Sequence, residues 1–234
     1  MSEILRGDSA AKTLYLIRHG PTQWNVQRRM QGRLDSALTK SGIEQAHLHG
    51  KLLKSQVKVE RPWVSPAGRT RATADIINSY VRAPIDFEDS LLERDVGDWS
   101  GLTIDDIEAD YPQAWHSRLV DPYHFRPPGG ENINDMLERS SGFVRAVFTG
   151  EHIEVALVTH QVMSRVIITH LLQLEPEETL QVVHPNELMY RFEFGSAGVE
   201  VTHFVNGQGP RGGLRRQGDD ETITTKDTED RKPN

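Results

Sequence analysis

Two segments of the chain run through apolar residues and stop on a histidine, and those histidines are the natural starting point for chemistry. Residues 13–20 read TLYLIRHG, and residues 154–160 read EVALVTH. A neutral imidazole is a competent nucleophile near neutral pH because its ordinary pKa is about 6.5, and a covalent intermediate divides one hard transfer into two easier ones. His19 fits that role, with His160 as a second imidazole. Phosphoryl transfer spreads negative charge over the non-bridging oxygens, and forked, permanently charged guanidiniums answer it. Arg18 and Arg69 are the candidate clamp, with Asn25 as an added amide donor. A leaving alkoxide needs a proton, and the loop LLERDVGDWSGLT offers Glu93, Asp95 and Asp98 as carboxylic acids that could give it.

Composition narrows the alternatives. The chain has 234 residues and no cysteine, which removes disulfides, thiolate nucleophiles and Cys-ligated zinc. A formal charge of -7 argues against a general nucleic-acid binder, which needs clustered cations. Local positive charge around residues 18–33 and 61–71 points instead to a small anionic ligand. Hydrophobic residues at 36% and charged residues at 26% suit one soluble domain, with no run long enough to span a membrane. The opening MSEILRGDSAAK lacks the basic and apolar segments of a secretory leader, so a cytoplasmic location is expected.

The elements that must position these groups follow from periodicity. TLYLIR and EVALVT read as buried strands, with a brief strand in RPWV and another around residues 84–92. Helical spacing is present in LTKSGIEQAHLHGKLLK, capped near Thr39, and in GRTRATADIINSYV. Thr103 followed by Asp106 predicts a capped helix to Tyr111, and further helices are predicted over residues 131–148 and 162–172. MYRFEF and VEVTHF read as closing strands, and residues 121–131 as an ordered loop or lid. The succession predicts a three-layer α/β/α sandwich with a mainly parallel sheet flanked by helices, in which ligands bind at the carboxyl ends of the strands. Helix starts after those strands would offer free N–H groups to an anion. The expected organisation is an N-terminal extension over 1–12, one domain over 13–205, and a disordered tail over 206–234 that is nearly devoid of large apolar groups.

Ordered motifs sharpen the reading. Leu16-Ile17-Arg18-His19-Gly20 with Thr22 and Asn25 resembles the signature of the histidine phosphatase superfamily, the phosphoglycerate mutase-like proteins. Gln31, Gly32, Asp35, Leu38, Thr39 and Gly42 resemble its next block. Ser65 with Arg69 and Thr73-Ala74 resembles the second-arginine motif, and Glu93 with Gly97, Trp99 and Gly101 resembles the acid motif. Pro128-Gly129-Gly130-Glu131 and Val158-Thr159-His160 complete the series. The resemblance implies a phosphohistidine on His19, Arg18 and Arg69 as clamp, His160 facing the phosphoryl group, and Glu93 as the proton donor that later deprotonates water. It implies no metal or other cofactor. Thr22, Asn25, Gln31, Gly32 and Gln161 are expected to line the pocket for a small phosphorylated substrate. The remaining histidines lack zinc-like spacing and read as surface or packing residues.

Two positions depart from the pattern: Pro21, where an acid is common, and Gln161, where glycine is usual. Gln161 removes backbone freedom and adds an amide beside the phosphate. The short spacing from Glu93 to Pro-Gly-Gly-Glu favours a phosphatase over a mutase. A mutase, or a phospho-ligand binding module whose catalysis has lapsed, are the competing readings.

Overall fold

The computed structural model describes residues 12–56 and 59–219. Strands β1 (Lys12–Arg18), β2 (Arg61–Val64), β3 (Asp86–Phe87), β4 (Glu154–Thr159), β5 (Leu188–Gly195), β6 (Gly198–Val205) and β7 (Gln208–Gly212) form one sheet in the order β3-β2-β4-β1-β5-β6-β7. The connecting helices are α1 (Gln23–Val26), α2 (Lys40–Gln56), α3 (Gly68–Val81), α4 (Ile104–Asp110), α5 (Pro112–Val120), α6 (Ile133–Thr149), α7 (Gln161–Leu172) and α8 (Pro176–Gln181).

Both faces of the central strands are buried, as a run of apolar residues without polar alternation requires. Leu14 and Leu16 of β1, with Val155 and Leu157 of β4, enter one core with Met136 and Val144 of α6 and Met163 and Ile167 of α7. Tyr15, Ile17, Ala156 and Val158 enter the opposite core with Leu53 of α2 and Ala74 and Ile77 of α3. The three-layer architecture is therefore present. The sheet is mixed: β3, β2, β4 and β1 are parallel, while β5, β6 and β7 add an antiparallel half.

The parallel half aligns the strand ends. In the β1–β4 register Arg18 stands beside Thr159, and His19 N–H continues the ladder to Thr159 O at 3.0 Å. Ser65 follows β2 and donates its N–H to Val158 O at 3.0 Å. His19, His160 and Ser65 consequently leave three neighbouring strands at one edge of the sheet.

Several helix signals were legible. Thr39 accepts the Gly42 N–H at 3.0 Å, the expected hydroxyl cap of α2. Thr103 and Asp106 form a reciprocal capping box on α4, with Asp in place of the more common Glu. Helices α1, α5 and α8 were not anticipated. A separate small core of Val96, Trp99 and Ile107 carries α4 and α5 above the strand ends, with Trp99 stacked on Phe125 at 5.3 Å.

The expected tail boundary at residue 206 requires correction. Asn206 and Gly207 take φ of 50° and 74°, the two-residue turn that Asn-Gly favours, and Gln208–Gly212 pairs antiparallel with β6. Every residue of β7 is exposed, so its place depends on backbone pairing, which a polar composition does not forbid. The chain then runs back to a bridge between Val182 and Arg216. Residues 1–11 of the expected extension and 220–234 of the expected tail lie outside the described residues, and Lys12 already belongs to β1.

Glycines at the turn after β1 are set by close backbone approach. A Cβ on Gly42 would lie 2.4 Å from Pro21 O, and one on Gly20 would lie 2.4 Å from Gly42 O. Alanine favours a helix interior over glycine by about 1 kcal/mol, but forced overpacking costs about 1–3 kcal/mol and backbone cannot yield as a side chain can. Gly42→Ala in α2 is thus expected to lower stability by about 1–2 kcal/mol. Gly142→Ala in α6, where a Cβ meets nothing within 4 Å, is expected to raise it by up to about 1 kcal/mol. Urea midpoints at constant slope check both signs.

Candidate active site

The turn after β1 is tied down on every side. Gly20 N–H donates to Thr73 Oγ1 at 3.2 Å, and the Asn186 amide donates to His19 O at 2.6 Å. Thr39 N–H donates to Pro21 O at 2.8 Å, so the unusual Pro21 fits a turn held through its carbonyl. The His19 ring, 3% exposed, places Nδ1 at 2.8 Å from Gly20 O. A carbonyl can only accept, so Nδ1 carries the proton and Nε2 keeps its lone pair. His160 is 0% exposed and meets His19 edge to face, with ring centroids 5.3 Å apart. Its Nε2 shares a 2.8 Å hydrogen bond with Ser65 Oγ.

Burial first, and then the charges of Arg18 and Arg69, hold the His19 ring well below its ordinary pKa. Burial, Arg69 and the His19 ring do the same to His160. Burial also lowers Arg18, to about 10, which leaves it charged at neutral pH. The site therefore combines two neutral imidazoles with two guanidinium cations.

Both arginines are anchored by one end. Arg18 donates from Nη1 to His184 O at 3.0 Å. Arg69 donates from Nη1 to Leu34 O at 2.6 Å and Asp35 Oδ1 at 2.9 Å, and from Nη2 to Gly32 O at 2.8 Å. The Asp35 carboxylate also accepts the Gly68 and Arg69 N–H groups at the start of α3. Arg18 Nε, Arg69 Nε and His160 Nδ1 are buried without a hydrogen-bond partner among the described residues. An unmade buried hydrogen bond costs about 1–3 kcal/mol, so the two guanidinium donors, with His160 Nδ1 near them, are suited to a tetrahedral anion.

A cleft of about 610 Å³ opens over this floor, lined by Arg18, His19, Asn25, Gln31, Gly32, Arg69, Glu93 and Gln161 among others. Glu93 is the one carboxylate among its described lining residues. Its Oε1 accepts N–H bonds from Arg94 at 2.9 Å and Met163 at 3.1 Å, and Oε2 accepts from Val162 at 3.2 Å. The first turn of α7 thus serves Glu93, which corrects the expectation that those N–H groups are free for an external anion. Asp95 is held by Arg33 and by the Gly97 N–H, and neither it nor Asp98 lines the cleft.

The other expected pocket residues divide. Asn25 lines the cleft; its Oδ1 accepts from Thr22 N–H and the Thr22 hydroxyl, which leaves the amide nitrogen for a ligand. Thr22 itself is 0% exposed and caps α1, so it positions Asn25 and does not reach the cleft. Gln31, Gly32 and Gln161 are at the cleft wall. His160, fully buried, is not among the described lining residues and meets the cleft through its contact with the His19 ring.

Sequence reasoning missed Asn186, His184 and Arg139, which act from elsewhere in the chain. Arg139 donates to the carbonyls of Leu92 and Glu93 at 2.8 and 3.2 Å while pairing with Glu131 at 2.8 Å, and so holds the Glu93 loop. Nothing in the spacing of these residues marks them. Among the described residues no three His, Asp or Glu side chains are grouped to hold a metal ion, and no helix is long and apolar enough to cross a membrane.

Comparison with known proteins gives concordant likenesses. A model of the histidine phosphatase superfamily (branch 1) matches residues 14–207. A protein of Erwinia tasmaniensis named probable phosphoglycerate mutase GpmB is 32% identical over 163 residues, 69% of this chain and 75% of that one. Salmonella proteins of the same name are 37% identical over 127 residues, and the matched part spans 58% of their length. Among solved structures, mycobacterial glucosyl-3-phosphoglycerate phosphatase superposes with a TM-score of 0.72 at 26% identity over 84% of this chain and 98% of its own. The alpha-ribazole phosphatase of Shigella flexneri gives 0.73 at 24% identity over 80% and 93%, a likeness of fold.

The histidine environments make a pH prediction. A ring whose folded pKa lies below about 6.5 takes up its proton more readily in the unfolded chain, so its contribution is complete above about pH 6.5 and is lost as pH falls. His19 and His160 are in this class, and His184, which burial brings down to about 3, joins them. The urea midpoint should fall between about pH 6.5 and 4.5, each ring contributing up to about 1.4 kcal/mol per pH unit. Imidazole NMR signals of His19 and His160 should still report the neutral form at pH values well below the ordinary midpoint of about 6.5, and a midpoint at or above about 6.5 for either contradicts the account.

Proposed function

The chain belongs to the histidine phosphatase superfamily, branch 1, and on that footing we propose that it hydrolyses phosphomonoesters of small metabolites through a phosphohistidine on His19. The observation that carries the reading is the Nδ1–H bond to Gly20 O, which leaves Nε2 of a buried, neutral ring as the nucleophile. Nε2 attacks phosphorus as the P–O bond to the leaving group breaks. Arg18 and Arg69 offer their Nε donors to the non-bridging oxygens, where charge is spread in the transition state. His160, bonded to Ser65 through Nε2, adjoins the His19 ring edge to face and has Nδ1 left for the phosphoryl group.

Glu93 protonates the departing alkoxide. Oε2 accepts a single N–H and has a lone pair for that proton. The carboxylate then removes a proton from water, whose oxygen attacks phosphorus; the P–N bond breaks and neutral His19 returns with inorganic phosphate. The scheme calls on no metal, so turnover is expected to persist in EDTA. A cytoplasmic location and a small phosphorylated substrate, with no nucleic-acid or membrane partner, belong to the same proposal.

One observation favours a second reading: the relative from Erwinia tasmaniensis carries the name of a mutase. A mutase returns the phosphoryl group to substrate. With phosphate-labelled phosphomonoester, the hydrolase releases most of the label as inorganic phosphate, and retention of label in ester form supports the mutase.

The variants separate the roles. His19→Ala should lower p-nitrophenyl phosphate turnover by at least about 10³-fold with the fold intact, and unchanged turnover excludes His19 as nucleophile. Glu93→Gln should lower kcat/KM on an alkyl phosphate by about 10²–10⁴-fold. The loss on p-nitrophenyl phosphate should be much smaller, because nitrophenolate departs without a proton. Equal losses on both esters would remove Glu93 from the acid role.

A further inference from the structure

Among the described residues six arginines line the cleft: Arg18 and Arg69 of the inner site, Arg29, which donates to Gln27 Oε1 and Gly101 O, and Arg94, Arg118 and Arg165. Arg33, Arg69, Arg126 and Arg139 each form an ion pair with an aspartate or glutamate. Arg94, Arg118 and Arg165 form none among the described residues, and all three line the cleft. Arg94 is held by Nε to Glu131 O and by Nη2 to Phe125 O, each at 2.7 Å, with Nη1 unused. Arg165 is held by Nε to Val182 O at 2.7 Å, with both Nη atoms unused. Arg118 makes no hydrogen bond among the described residues and only covers the Trp115 ring at 4.7 Å.

These three cations come from different elements, the loop at Glu93, α5 and α7. Burial lowers the pKa of all three, and the charge of Arg118, within electrostatic reach of the other two, lowers Arg94 and Arg165 further. The Coulombic partners that oppose this are Glu93, Glu131 and Asp135 for Arg94, and Glu93 and Tyr190 for Arg165. Glu93 is already bonded to three N–H groups, and Glu131 and Asp135 are paired with Arg139 and Arg126. Convergent, partly desolvated like charges raise the energy of the empty cleft unless an anion joins them.

We propose that Arg94, Arg118 and Arg165 form a second anion-binding subsite in the outer cleft, and that the substrate is a phosphomonoester bearing another carboxylate or phosphoryl group. The proposal rests on the hydrolase reading for the inner site only. One wall of this subsite is supplied by the chain beyond the superfamily match: Gln217 N–H donates to Gln181 O at 2.8 Å, next to the Val182 carbonyl that anchors Arg165. Gln217 and Gln181 both line the cleft. The expected selectivity resides in KM, because the outer arginines touch a group that does not react.

Two matched pairs of probes test this. Glycerol 3-phosphate and 3-phosphoglycerate differ at the far end by an alcohol against a carboxylate, and fructose 6-phosphate and fructose 1,6-bisphosphate by an alcohol against a phosphate. Binding is read by calorimetry on the full-chain His19→Ala protein, and kcat and KM on the wild type. In at least one pair the doubly anionic member should bind about tenfold or more tightly, the effect of charge-assisted hydrogen bonds, and Arg118→Gln should erase that preference. Which pair responds identifies carboxylate or phosphate. Should Arg118→Gln fail to fold, Gln217→Glu, an exposed change on the wall of the same cleft, should reduce the preference at least about threefold. No preference in either pair, or a preference that survives the folded variant, overturns the subsite. Equal hydrolysis of every probe defeats the subsite and spares the hydrolase reading; tight selective binding without phosphate release does the reverse.

Discussion

One hydrogen bond organises the chemistry of this molecule: Nδ1–H of His19 to the carbonyl of Gly20. An imidazole has two nitrogens and, when neutral, one proton, so fixing the proton on Nδ1 fixes the lone pair on Nε2. The bond requires Gly20 O to be aimed at its own neighbour's ring, and the turn is clamped to do so through Thr73, Asn186 and the α2 cap at Thr39. The close approach of Gly20 and Gly42 follows from the same demand. Packing on both faces of β1 then makes the arrangement rigid, because the strand that carries His19 is shared by the two main cores.

The electrostatic design is consistent with that start. Two guanidiniums beside a buried ring disfavour its protonated form, which keeps the ring a base. Those guanidiniums are themselves held by backbone carbonyls and Asp35, leaving particular donors for a ligand. The carboxylate of Glu93 is oriented by the first turn of α7, where the helix dipole favours negative charge. Arg18 and His19 are at the end of β1, His160 follows β4, Arg69 is in the first turn of α3 and Glu93 is in the loop after β3, so the site is assembled at one edge of the parallel half of the sheet.

How much of this was legible depended on the kind of signal. Strands β1 and β4 are buried on both faces, so TLYLIR and EVALVT announced themselves, and the histidines at their ends were brought together by a register that parallel strands enforce. The α4 cap was readable from Thr103 and Asp106 alone. Strand β7 was not, although Asn206-Gly207 is a strong hairpin signal, because its polar residues hid a segment held by backbone pairing. Thr22 was assigned to the ligand and instead caps α1, a distinction that only the direction of its hydroxyl decides. His160 was expected beside the phosphoryl group, and its buried ring meets His19 edge to face and Ser65 through Nε2, with Nδ1 unpartnered among the described residues. Arg118 had no sequence signal, since a lone arginine in a short helix gains meaning only from the cations it faces across the cleft.

The central claim is the covalent bond between phosphorus and Nε2 of His19, and it can be read directly. Protein mixed with excess labelled phosphomonoester, quenched in alkali within one turnover and digested, should carry one phosphoryl group on the peptide containing His19, stable to base and lost in acid. Label on another residue, or full turnover with no labelled His19 at any quench time, would contradict the account.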